Sequence, residues 1–176
     1  MAVADFNLNA GQRAERKLLL TVAEWTEGST QVRELLGTRT EDSSIEYNAD
    51  IETTTDILGN NYTNLNRTQP QQDFDPYLVL GGSKLGPKLN DIRRRNALSE
   101  LNQFTIYIIT AFSGTAGAYD AEKHTDCTIT YNSIGGDVNV NFPISVYLSN
   151  KITLGTVDKL DDTFTFTASS TTTTGL

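Results

Sequence analysis

Apolar residues along this chain recur mostly at every second position, in short runs broken by Gly, Asn and Asp, which is the pattern of β-strands. The run R-K-L-L-L-T-V-A-E-W (16–25) is apolar enough for a strand or a short helix, and the Glu27-Gly28 turn with nearby β-branched residues favours a strand. Q-V-R-E-L-L-G (31–37) follows directly and predicts a hairpin partner for it. In S-I-E-Y-N-A-D-I-E (44–52), Ile45, Tyr47, Ala49 and Ile51 alternate with Glu46, Asn48, Asp50 and Glu52. That alternation predicts one half-buried strand with an acidic outer face, extended by Asp56, and the plain reading of such a face is contact with solvent.

Residues 52–76 are rich in Thr, Asn, Gln and Asp and predict a long polar hairpin turning at Gly59-Asn60, flanked by Ile57 and Tyr62. A hairpin without a core of its own is either a surface loop or a reach toward a partner. One helix is expected over 84–101, with Ser83 as N-cap, Pro87 in the first turn, and Leu85, Leu89 and Ile92 as its apolar stripe. The stripe slides to Ala97, Leu98 and Leu101, so a bend or an end is expected near Asn96.

Strands follow at 103–112, 126–131, 138–148 and 151–157, with Pro143 marking an edge or bulge in the third. The expected fold is mainly β, a β-sandwich or partly closed barrel with one flanking α-helix, a long polar loop and extended terminal arms. The organisation expected is an N-terminal arm (1–12), one body (13–160) and a Thr-rich C-terminal arm (161–176).

Composition narrows the functional classes. Among 176 residues, 22 acidic and 14 basic side chains give a net charge of −8, which argues against a protein that holds nucleic acid or anionic membranes through Lys and Arg. The single cysteine, Cys127, excludes an intrachain disulfide framework. The start, M-A-V-A-D-F-N-L-N-A, has neither a basic region nor a long apolar run, so no secretory signal is expected; a soluble protein assembled in a cytoplasm-like compartment is.

Candidate chemistry is sparse. His124 and Cys127 form H-T-D-C, which lacks further ligands for a metal and is read as a loop histidine beside a buried cysteine rather than a nucleophile pair. Gly81-Gly82-Ser83 could seat an anion at the helix start, but without a phosphate-binding lysine context it reads as a cap and turn. The carboxylates at 46, 50, 52 and 56 lie too flat on a strand to cage calcium. Three consecutive arginines, Arg93, Arg94 and Arg95, point about 100° apart around a helix and suit salt bridges to the acidic strand, in the same or a neighbouring subunit, better than phosphate binding. An enzyme is not expected.

Several segments in order resemble the major tail tube protein of long-tailed, siphovirus-type bacteriophages: S-S-I-E-Y-N-A-D-I-E-T-T-T-D-I-L-G-N, F-D-P-Y, G-G-S-K-L…K-L-N-D-I-R-R-R-N-A-L-S-E-L, H-T-D-C-T-I-T-Y-N-S-I-G-G-D and L-S-N-K-I-T-L-G-T-V-D. The resemblance covers roughly 30–160 and rests on the ordered set, since no single piece is a signature. It implies a virion tail subunit, assembled in the host cytoplasm, whose six-membered rings stack into a hollow tube conducting double-stranded DNA without binding it specifically. It also implies contacts with tape measure, tail terminator and distal tail proteins, with no membrane, cofactor, metal or catalytic residue. On this resemblance Glu46, Asp50, Glu52 and Asp56 are the candidate lumen face. Leu58, Asn60, Tyr62, Leu65 and Arg67 are the candidate inter-ring loop, and Arg93, Arg94 and Arg95 the candidate intersubunit salt-bridge cluster. An acidic lumen would keep DNA centred by repelling its phosphates. The related alternative is the inner tube of a contractile tail or tail-like bacteriocin. The alternative from another class is a β-sandwich carbohydrate- or surface-binding module, which would need clustered aromatics. The seven Tyr and seven Phe are instead scattered, and Trp25 sits in an early apolar run.

Overall fold

A computed structural model describes residues 6–169. Its strands are β1 (Leu19–Glu27), β2 (Thr30–Leu35), β3 (Ile45–Glu46), β4 (Asp50–Thr55), β5 (Asn61–Arg67), β6 (Gln71–Phe74), β7 (Phe104–Thr115), β8 (Ala118–Tyr131), β9 (Ile144–Tyr147), β10 (Ile152–Val157) and β11 (Phe166–Ala168). The one α-helix, α1 (Leu85–Arg95), stands between β6 and β7. Nine strands form a single antiparallel sheet in the order β2-β1-β7-β8-β9-β6-β3, with β10 and β11 branching from β8. Its ends, β2 and β3, do not pair with each other, so the architecture is mainly β without a closed barrel.

The long strand β8 explains how one sheet makes a core. Its first half pairs with β10 through Tyr119–His124, and its second half pairs with β9 through Thr128–Tyr131. Asp126 between them has φ 57°, and the register against β7 slips there, so the strand bends as a bulge bends a strand. The two half-sheets then face each other. Thr21 on β1 donates its hydroxyl to the Gln72 side-chain carbonyl on β6 at 2.8 Å, across the interior. Trp25, Phe104, Ile106 and Ile108 from one half pack with Phe74, Ile129, Ile144 and Val146 from the other.

The helix closes the open side of this core. Leu85, Leu89 and Ile92 are all fully buried, as their spacing predicts, and each contributes about 1.5–3 kcal/mol by leaving water. Asn96, in the left-handed region at φ 54°, ends the helix, and a short 3-10 turn (Leu98–Asn102) carries Leu101 onto the core. The expected helix over 84–101 is therefore two pieces, broken where the stripe slides.

Three expectations are corrected. The stretch 44–52 is not one half-buried strand. Asn48 turns at φ 43° and splits it into β3, on the main sheet, and β4, on a separate two-stranded sheet. Only Ile45 packs against the core; Tyr47 and Ile51 are 60 and 59% exposed despite their perfect alternation. Residues 138–148 contribute only β9. Val138 and Val140 lie outside any strand and are exposed; Asn141 instead makes isolated bridges to Gly135 and Leu78.

The C-terminal segment is the third. Over 161–168 it is not an extended arm: Phe164 is buried and β11 pairs with β10. Phe164 and Phe166 set their ring edges against Tyr107, forming a second core with Val22, Ile109, Ala121 and Val157 on the outer face of the sheet. Arg33 closes it, bonded to Glu24 at 2.5 Å and lying over the Phe164 ring. Burial, with the Glu24 charge beside it, pushes the Tyr107 phenol up to about 12. Gly155 makes the docking possible, since a Cβ there would stand 2.3 Å from the Thr167 carbonyl oxygen. The expected arms at 1–5 and 170–176 lie outside the described residues. In the N-terminal segment, the backbone amide of Asn7 donates to the Phe112 carbonyl at 3.0 Å.

Candidate assembly surface

The hairpin of β4 and β5 has two strands only, and pairs with nothing else in the described chain. Every residue of both strands is exposed. Isolated two-stranded hairpins are marginal in water, so this one needs local support. Asp56 supplies it. Its carboxylate accepts from the Leu58 and Asn60 amides, both at 2.8 Å, and from the Asn60 side-chain amide and the Tyr62 hydroxyl, both at 3.0 Å. These donors, the Asn60 side chain foremost, hold the Asp56 carboxyl below the usual carboxylate range. Gly59, at φ 81°, lets the chain turn inside this cage.

With the Asp56 charge absorbed by the turn, the hairpin tip presents carbon outward. Ile57 and Leu58 project at the tip almost wholly exposed, and Ile51, Tyr62 and Leu65 are more than half exposed along the strands. Ile51 stands directly opposite Leu65, so the two share one face of the ribbon. Tyr62, opposite Thr54, lies on the other face, and Ile57 and Leu58 stand together at the tip. A monomer gains nothing from exposing these side chains to water, and the Ile57-Leu58 tip is the part of the hairpin that presents adjacent exposed carbon. At the neck, the Asn48 side chain donates to the Gln69 carbonyl at 3.1 Å, and the Gln69 amide donates to the Tyr47 carbonyl at 2.9 Å.

The candidate loop residues Leu58, Asn60, Tyr62, Leu65 and Arg67 thus fall on one structural unit. Arg67 lies 3.7 Å from Asp50, an exposed pair of little energetic weight. The candidate acidic face is divided: Glu46 ends β3, Asp50 and Glu52 stand on β4, and Asp56 is consumed by the turn. They do not share one strand. The arginine cluster is divided too, and its partners are local. Arg95 bonds Asp91 at 2.7 Å and Glu100 at 2.8 Å, and Arg93 donates to the Asn90 side chain at 2.9 Å. Among the described residues none of the three reaches the 46–56 carboxylates. The Arg95 side chain, with Lys88 second, depresses the Glu100 carboxyl to about 2.

The other candidates resolve as structure. His124 lies in a strand rather than a loop, buried, with its Nδ1 2.9 Å from the Ser149 carbonyl and its Nε2 3.2 Å from Glu122. Cys127 is buried, and its thiol donates to the His124 backbone carbonyl at 3.5 Å rather than meeting the ring. Burial pushes that thiol up, away from the reactive thiolate. The Gly81-Gly82-Ser83 turn holds an internal anion. Glu34 of β2 accepts from the Ser83 hydroxyl at 3.0 Å, from the Leu85 amide at 2.8 Å and from the Lys84 amide. Ser83, expected to cap the helix, therefore shares that task with a carboxylate from a distant strand. Among the described residues no cluster of His, Cys, Asp and Glu fits a metal, and no helix is long and apolar enough to cross a membrane.

Sequence patterning missed Glu34, whose role needs β2 to lie beside the helix start. It also missed Ile51 and Tyr47 as exposed. The signal for the surface was Ile57-Leu58, two large apolar residues at the tip of an otherwise polar hairpin.

No family model and no curated protein matches the chain. Solved structures resemble it in part. One is the anti-feeding prophage cap, a tube-terminating cap, at 15% identity and a TM-score of 0.48, over 89% of this chain and 99% of that one. Another is the PVC sheath-tube complex of an extracellular contractile injection system in its extended state, at 12% identity and 0.47, over 84 and 95%. The anti-feeding prophage baseplate matches at 8% identity and 0.47, over 84 and 97%. Similarity this low carries no statement about what the present chain does.

Proposed function

We propose that this chain is a structural subunit of a phage-type tail tube, forming six-membered rings that stack into a hollow conduit for double-stranded DNA. The observation that carries this reading is the β4–β5 hairpin, ordered by its own turn, outside every core, and exposing Ile51, Ile57, Leu58, Tyr62 and Leu65. Such an element is a connector between copies. The ordered motifs over 30–160 support the same reading, and edges unpaired among the described residues, such as that of β2, offer main-chain hydrogen bonds to neighbours in a ring. A net charge of −8 suits a channel that must pass DNA without gripping it. The role needs no catalytic step and no cofactor.

Sedimentation across a concentration series tests the proposal. The full chain is expected to form rings and then longer species. A chain with 50–67 replaced by a short Gly-Ser turn is expected to stop at rings. A chain that sediments as a monomer at every concentration would overturn the reading.

A further inference from the structure

The fold leaves a second apolar surface uncovered, and its position relative to the hairpin is informative. Val138 is 88% exposed, and Val79, Ile134 and Val140 are about half exposed. Backbone pairing gathers them: the Val79 amide donates to the Val140 carbonyl at 3.0 Å, and Gly135, beside Ile134, exchanges hydrogen bonds with Asn141.

The hairpin and this patch stand at opposite ends of the half-sheet β3-β6-β9. The hairpin neck joins it where Glu46 meets Gln71 and Gln71 meets Tyr147. From there β6 runs to Phe74 opposite Ile144, and the pairing continues beyond, with Phe142 donating to the Tyr77 carbonyl, to Val79 and Val140. Two unlike apolar surfaces at opposite ends of one chain suit a head-to-tail contact, which builds a filament wherever its rotation does not close into a ring.

We infer that the patch of Val79, Ile134, Val138 and Val140 is the seat for the hairpin tip, Ile57 and Leu58, of the next copy along the tube. The inference rests on the tube-subunit reading and names which surface of the neighbouring copy receives its connector. The occupant is a second copy because the area is too small for a free-standing partner. Even a whole ribbon face, about 20 Å long and roughly 10 Å wide, offers only on the order of 200 Å², and the tip offers less. A stable pairwise interface needs about 800 Å² per partner. One such contact does not hold two subunits, whereas six acting together between rings do.

Cysteine cross-linking separates the possibilities. A chain with Leu58→Cys and Val138→Cys is oxidised under assembly conditions; both sites are exposed, and native Cys127 is buried. The expected result is a ladder of dimers, trimers and longer covalent chains. Mixing the two single variants should yield heterodimers and nothing longer. Val138→Asp with Val140→Asp, in a chain that still folds by circular dichroism, should form rings that no longer stack. Leu58→Cys cross-linking chiefly to itself would overturn the inference in favour of a symmetric hairpin contact. Tubes that form without the 58–138 cross-link would overturn it while leaving the tube reading intact. If the unmodified chain forms neither rings nor tubes, both fall together.

Discussion

Glu34 shows how a single side chain ties three elements into one body. From β2 it receives the Ser83 hydroxyl, the Lys84 and Leu85 amides and the Tyr77 hydroxyl at 2.7 Å, and so shares with Ser83 the task of satisfying the helix start. Glu34→Ala strands these half-buried donors and is expected to destabilise the fold by about 1–3 kcal/mol, read as a fall in Tm. Glu34→Gln, which keeps one acceptor oxygen, should fall between. Glu100 offers a check at the other end of the helix. Its carboxyl is held at about 2, against an ordinary 4.5, by Arg95 and then Lys88. A depressed carboxyl stabilises the folded state above pH 4.5, and that contribution is lost as pH falls from 4.5 through 2. Titration followed by carboxyl NMR should place the Glu100 midpoint near 2, and Arg95→Gln should move it up toward 4.5. A wild-type midpoint at 4.5 would show that these ion pairs do not persist in solution.

Elements divide into those that build the core and one that does not. Because the β4–β5 hairpin touches no core cluster, its replacement by a short turn should leave the melting temperature of the body within a few degrees. Its amides should exchange quickly in the monomer and become protected on assembly. A large fall in Tm on removing it would mean that it supports the body instead. The same division explains what pattern alone reveals. The Leu85, Leu89 and Ile92 stripe, the β1–β2 hairpin and the apolar β7 are legible because burial follows their period. Alternation in 44–52 and at Val138 and Val140 misleads because period 2 reports an extended backbone, not what covers it, whereas Phe142 is buried as its place in the pattern predicts. One residue, Asn48, turns the chain off the main sheet and leaves Tyr47 and Ile51 in water. The Phe164 and Phe166 docking is hidden in a Thr-rich tract, since it depends on Tyr107 and Gly155 from distant strands. Of the assembly surface, the hairpin and its Gly59-Asn60 turn are readable locally; the Val79–Val140 patch exists only once the fold brings two segments together.

At the scale of the whole molecule, the chain is a folded sheet with a helix on its open side, a polar hairpin with an apolar tip at one end and an apolar patch at the other. On the tube-subunit reading, association comes from exposed carbon and backbone edges rather than from ion pairs. Assembly should therefore tolerate high salt, unlike a complex held by ion pairs. On the tube-subunit proposal, this geometry should polymerise into rings and then tubes. Negative-stain electron microscopy of the purified full-length chain, over rising concentration, tests it most directly. Six-fold rings that stack into hollow tubes of uniform diameter are expected; isolated monomers at every concentration would rule the tube reading out.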